Sequence, residues 1–134
     1  MKVAFSLGPV GQIGLSVADA DRSEAFYGGV LGLTKLFRFG SLVFFDCGGL
    51  RLLLEQGEGP HGGSCIYFRV ADIGLARREL EARGVGFVDQ IHMISPMEDH
   101  DLWMTFFADP DGHHLALMME APKGWQPQAE KALG

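Results

Sequence analysis

Apolar and polar residues alternate from Gln12 to Val17, with Ile13, Leu15 and Val17 on one side and Gln12, Gly14 and Ser16 on the other. A period of two marks a strand with one buried face. After Ala18-Asp19 the spacing becomes helical, through Phe26, Val30 and Leu33. Asp19 or Asp21 can cap that helix, and Asp21-Arg22-Ser23-Glu24 has capping-box spacing. Gly28, Gly29 and Gly32 weaken it, so a short helix is predicted. The same succession returns 53 residues later. Ile66, Phe68 and Val70 alternate with Cys65, Tyr67 and Arg69, and Val70-Ala71-Asp72 repeats Val17-Ala18-Asp19. Asp72 precedes a helical run carrying Ile73, Ala76 and Leu80, and Gly84 stands where helices commonly close. Two copies at a fixed offset point to a duplicated module and are too few for a solenoid.

Between and after these copies the chain reads as strands joined by turns. Leu36–Phe39, Leu42–Phe45 and Leu50–Glu55 are strand candidates, with a turn at Asp46-Cys47-Gly48-Gly49. Gln56–Gly63 holds four glycines, Pro60 and His61, and reads as a linker between halves. In the second half Val85–Met93 is strand-like, Ser95–Asp101 is polar and turn-like, and Leu102–Phe107 is an apolar run. Asp109-Pro110-Asp111-Gly112 is a strong turn before a last strand on which Leu115 and Leu117 alternate with His114, Ala116 and Met118. From Ala121 onward, Pro122, Gly124 and Pro127 predict a flexible tail through residue 134. The expected architecture is an α+β domain of paired βαβββ modules over residues 9–120, divided at about 9–57 and 63–120. Its sheets are mixed and mainly antiparallel. Each helix covers the apolar face of its own sheet, and the less apolar faces are expected to meet around a cleft.

A chain of 134 residues is long enough for a proper core. Its 47% hydrophobic and 21% charged content is ordinary for a globular protein. The net charge of −6, with no cluster of Lys or Arg, argues against nucleic acid and mildly favours neutral or cationic ligands. No stretch has the pattern of a signal peptide or the length of a membrane span. Two cysteines, Cys47 and Cys65, form neither a disulfide framework nor a zinc knuckle. A cytoplasmic location with reduced thiols is expected.

The element order, with "VADADRSEAFYGGVLGL" at 17–33 and "FFADPDGHHLAL" at 106–117, resembles the vicinal oxygen chelate superfamily over roughly residues 9–120. That superfamily includes glyoxalase I, methylmalonyl-CoA epimerase, extradiol dioxygenases and bleomycin-resistance proteins. The resemblance implies a homodimer. Its metal enzymes take up to four ligands, usually His, Glu or Gln, one from the first and one from the last strand of each half. Matching the Val-Ala-Asp phrases puts Gln12 and Cys65 at the first-strand places; matching Gly49 and Gly112 puts Leu53 and Ala116 at the last-strand places. Leu and Ala carry no donor, and Gln with Cys is a poor pair for a hard ion. No metal or other cofactor is therefore expected; a divalent metal returns only if these strand registers are wrong.

The candidate lining is Gln12, Ser16, Leu53 and Glu55 from the first half, and Cys65, Tyr67, Trp103, Ala116 and Met118 from the second. It is a mostly apolar concavity with a few polar points, as small-molecule sites are. Glu55, on the face of Leu53, and His100, flanked by Asp99 and Asp101, are the candidate acid–base groups. Against these stand plainer readings: a solvated strand-end Glu55, and a polar loop at Asp99–Asp101 with Trp103 packed inward. His114 can share the face of Ala116, with His113 pointing the other way, but the favoured reading has both on an exposed turn, and His92 reads as a hydrogen-bonded core or rim residue. The leading expectation is a metal-free small-molecule binder resembling bleomycin-resistance proteins. The alternative is a glyoxalase-type lyase, isomerase or dioxygenase using a non-standard metal site or metal-free acid–base chemistry. A third is an interaction protein whose cleft is a relic.

Overall fold

Each Val-Ala-Asp phrase ends a strand and caps a helix, because an extended Asp can turn its carboxylate back onto the first N–H groups of the next turn. In the computed structural model, which describes residues 10–127, Asp19 (φ −144°) accepts from the Arg22 N–H at 3.1 Å. Asp72 (φ −139°) accepts from the Leu75 N–H at 3.0 Å. Of the two cap candidates, then, Asp19 is the cap, and Asp21 lies in the first turn, paired with Arg38 at 2.7 Å.

The chain divides into two compact units between His61 and Gly62. The first contains β1 (Gln12–Val17), α1 (Ala20–Glu24), β2 (Thr34–Phe39), β3 (Leu42–Cys47) and β4 (Leu50–Gln56). Its sheet order is β1-β4-β3-β2, with β1 and β4 parallel and the other pairs antiparallel. Leu15, Val17, Val43, Phe45, Leu52 and Leu54 are buried on one face beneath Ala20, Ser23 and Tyr27. The predicted short helix is short, but it continues as a π-helical turn, Ala25–Val30, whose end is held by the Leu31 N–H donating to the Phe26 carbonyl. Gly28 has a steric reason here, since a Cβ would stand 3.1 Å from the Phe45 ring. Tyr27 and Phe45 are both fully buried with ring centroids 6.3 Å apart, and truncating an aromatic of this kind costs about 3–5 kcal/mol.

The second unit contains β5 (Cys65–Arg69), α2 (Ile73–Ala82), β6 (His92–Pro96), β7 (Asp101–Ala108) and β8 (His114–Ala121). Its order, β5-β8-β7-β6, repeats that of the first, with β5 and β8 parallel. Ile73, Leu80, Trp103, Phe107, Leu115, Leu117, Met119 and Ala121 form its core. Gly84 (φ 93°) closes α2, with the Val85 N–H donating to the Leu80 carbonyl at 3.0 Å. The Asp109–Gly112 turn is fixed by the buried Asp109 carboxylate, which accepts from the Asp111 and His113 N–H groups, each at 2.8 Å.

Two expectations need correction. The strand predicted over Val85–Met93 is mostly irregular, with one isolated bridge, Phe87 to Phe107, and β6 begins only at His92 and runs through Pro96. The Asp89 carboxylate supplies what a ladder would have supplied: Oδ1 accepts from the Phe106 N–H and from the Thr105 hydroxyl, each at 2.9 Å. Arg77 from α2 adds bonds to the Asp89 carbonyl (2.6 Å) and Thr105 Oγ1 (2.8 Å) while lying over the Phe87 ring. The stretch read as the start of a loose tail is anchored through Trp125. The Asp101 carboxylate accepts from the Gly124 N–H (3.0 Å) and from Lys123 Nζ (3.1 Å), and Trp125 packs edge-on against Trp103. The lead-in at residues 1–9 and the remaining tail, 128–134, lie outside the described residues.

Candidate functional site

The face of each sheet turned away from its own helix carries the residues left over from the alternation. In the first unit the register aligns Gln12 with Arg51, Gly14 with Leu53 and Ser16 with Glu55. Leu53 is followed across the sheet by Phe44, and Phe44 by Phe37. The Phe37 and Phe44 rings stack at 4.3 Å, and the Arg51 guanidinium lies 5.6 Å from the Phe44 centroid. Gln12, Ser16, Leu53 and Glu55 therefore share one face, as the alternation predicts.

In the second unit Cys65 aligns with His114, Tyr67 with Ala116 and Arg69 with Met118, and Ala116 is followed by Phe106. Tyr67, 49% exposed, meets Phe106 edge-on at 6.2 Å, and His92 stacks on the other side of Phe106 at 6.2 Å. Ala116 is fully buried at the floor of this aromatic row. A hydrogen bond with the Cys65 side chain raises the Tyr67 phenol above its usual range, so it stays a neutral donor.

His100 belongs to a polar chain on this side. Its Nδ1 lies 2.7 Å from Asp99 and its Nε2 3.4 Å from Glu120, whose other oxygen accepts from Arg69 Nε at 2.8 Å. The His100 hydrogen bond holds the Asp99 carboxyl below its ordinary range. Arg69 and Glu120 were not among the expected site residues. Arg69 shares the alternation of Cys65 and Tyr67, and Glu120 that of Ala116 and Met118, so the period of two carried the signal. Phe44 and Phe106 were also missed; each is the open-face member of a Phe-Phe pair.

Trp103 is not where it was expected. It aligns with Met119, is only 6% exposed, and packs on the helix-covered side, opposite to Tyr67 and Ala116. The run Leu102–Phe107 is apolar almost throughout, so it offers no alternation from which to read the facing. His114 is exposed on the open side, whereas His113 is buried on the other instead of standing on an exposed turn. His92 is half-exposed, with Nδ1 2.7 Å from the Gln90 carbonyl. Among the described residues no three His, Cys, Asp or Glu side chains are grouped to hold a metal ion, and no helix is long and apolar enough to cross a membrane.

The architecture has solved counterparts. An integron cassette protein from the mobile metagenome of V. cholerae superposes with a TM-score of 0.74 at 19% identity, over 87% of this chain and 98% of its own. Lactoylglutathione lyase from Agrobacterium tumefaciens gives 0.71 at 22% identity, over 85% and 95%. A putative glyoxalase family protein from Bacillus anthracis gives 0.72 at 16% identity, over 88% and 99%. These likenesses concern the fold. The sequence itself matches the model of the glyoxalase/bleomycin resistance protein/dioxygenase superfamily across residues 10–117. With the match spanning both βαβββ units, the chain belongs to that superfamily.

Proposed function

We propose that the chain binds a small, largely apolar molecule on its open sheet faces, without a metal at the four places that the family resemblance assigns to one. The observation that carries this reading is what surrounds the two last-strand places. Leu53 lies between Gly14 and Phe44, and Ala116 between Tyr67 and Phe106. Each aliphatic side chain has an aromatic neighbour where a chelate would need another donor. Gln12 and Cys65 leave one amide oxygen and one thiol, short of the roughly three matched donors a divalent ion requires. The stacked phenylalanines and the Tyr67–Phe106–His92 row suit a flat apolar ligand, and the net charge of −6 suits a cationic one.

Thermal-shift screening with flat cationic and neutral aromatics tests this. A ligand at a hundred times its Kd stabilises by about 2.7 kcal/mol, and Phe44→Ala or Tyr67→Ala should lose that shift. Protein purified without chelator that carries one equivalent of divalent metal would overturn the reading.

His100 favours a second reading, because both its ring nitrogens face carboxylates. Here His100 runs metal-free proton transfer in a glyoxalase-type lyase or isomerase. Turnover that falls about 10²–10⁴-fold in His100→Gln while ligand binding persists would make the protein an enzyme. The proposed working form is a cytoplasmic homodimer. Its support is the apolar surface near two outer strands, Leu36, Phe37 and Phe39 on β2 and Met93 and Ile94 on β6, and the free thiols of Cys47 and Cys65. Light scattering should return twice the 14.6 kDa chain mass; a single chain mass would rule the dimer out.

A further inference from the structure

Ser16 and His61 form a pair of which the binding reading takes only Ser16, as a lining residue. Ser16 Oγ lies 2.9 Å from His61 Nδ1. Ser16 is exposed on β1 and His61 half-buried on the loop after β4. With the proton on Nε2, Nδ1 accepts from the hydroxyl, the arrangement in which an imidazole activates an alcohol.

The pair is held from both sides. Gln56 Oε1 accepts from the Ala20 N–H at 2.8 Å, and the Gly57 N–H donates to the Val17 carbonyl at 3.0 Å, so the loop is fastened beside β1 before it departs. It then returns His61 to a serine only one residue from that fastening. Gly59 lies beside the ring, where a Cβ would make ordinary van der Waals contact with Cδ2 at 3.6 Å and Nε2 at 3.7 Å. Glu55 is the register neighbour of Ser16 on the adjoining strand, where sheet strands are about 4.8 Å apart. The duplication does not repeat this arrangement: the place matching Ser16 is held by Arg69, whose partner is Glu120.

The geometry points to an acyl-transfer site, with Ser16 as nucleophile and His61 as general base. Its substrates are small esters with good leaving groups, such as aryl esters. In the first step Ser16 Oγ bonds to the acyl carbon, the carbon–oxygen bond to the leaving group breaks, and the serine proton passes through His61 Nδ1 to the leaving oxygen. In the second, water bonds to the acyl carbon and gives a proton to His61, which returns it to Ser16 as the serine–acyl bond breaks. The product is a carboxylate. The pair stands on an exposed strand surface, and this limits it to activated esters.

The site shares the first unit's open face with the proposed ligand but does not need it. Ligand-induced melting shifts in His61→Ala, which lies outside the proposed lining, read binding alone, so either reading can fail without the other. Whole protein is treated with a fluorophosphonate probe and mapped by peptide mass, and hydrolysis of p-nitrophenyl acetate is followed in parallel. Labelling is expected at Ser16. Ser16→Ala should abolish both label and the serine-dependent hydrolysis. His61→Ala should lower hydrolysis about 10²-fold, with recovery on adding imidazole beyond the rise imidazole gives with Ser16→Ala, which a merely structural loss would not show. Circular dichroism checks that both variants fold. Label at another residue, no label, or Ser16→Ala hydrolysis equal to wild type overturns the assignment; failure of imidazole to rescue His61→Ala removes His61 as the base.

Discussion

Asp19 and Asp72 show how much one side chain decides. Each ends a strand and satisfies a helix N–H from the same extended backbone position. Asp72→Ala should lower stability by about 1 kcal/mol in urea unfolding. Asp21→Ala should cost less, since its ion pair with Arg38 is exposed and such pairs contribute about 0–1 kcal/mol. The repeated aspartate was legible before the fold was known, although the sequence alone left Asp19 and Asp21 as rivals. Gln12, Ser16, Leu53, Glu55, Cys65, Tyr67 and Ala116 were likewise legible, because alternation with period two settles their facing. Trp103 was not, since six nearly continuous apolar positions carry no phase. His61 could not be placed from sequence at all: a glycine-rich loop has no period, and its return to Ser16 depends on where Gln56 and Gly57 fasten it.

At the scale of elements, the departures occur where side chains replace backbone partners. Asp89 takes over hydrogen bonds that a strand at 85–91 would have made, so a stretch with strand-like composition becomes an irregular clamp. Asp101 similarly holds the segment after β8. The Gly124 N–H and then Lys123 keep its carboxyl below the ordinary value of 3.8. Folding therefore favours the ionised form. The contribution is fully present above the ordinary carboxylate range and is lost as acid protonates the folded group. Acid titration followed by tryptophan emission should show Trp125 separating from Trp103 as the pH falls below that range. Asp101→Asn should show the same red-shifted emission already at neutral pH. Proline and glycine counts pointed to a loose tail; the buried carboxylate that anchors it sits on a different strand, beyond the reach of local composition.

For the whole molecule, the duplicated module is the level read most completely. Matching the Val-Ala-Asp phrases and the two glycine turns pairs Gln12 with Cys65 and Leu53 with Ala116, and the two sheets carry the same registers at these places. Sequence reading misses the polar chain from Arg69 through Glu120 to His100 because it follows the alternation of the last strand only as far as Met118, whereas β8 continues to Ala121. If the four matched positions hold no ion, titration with manganese, nickel or zinc should leave the melting temperature unchanged. A saturable rise at one equivalent would mean that other side chains hold an ion and that these four places are not the whole of the site.

The parallel pairing of the first strand of each unit with its last, β1 with β4 and β5 with β8, has a kinetic consequence. Neither edge strand can find its neighbour until nearly the whole unit has been synthesised, so the contacts that complete each sheet are distant in sequence and slow to form. A nascent chain stalled on the ribosome before Leu50 would hold β1 as an orphan, with Leu15 and Val17 open to chaperones or to a neighbouring chain.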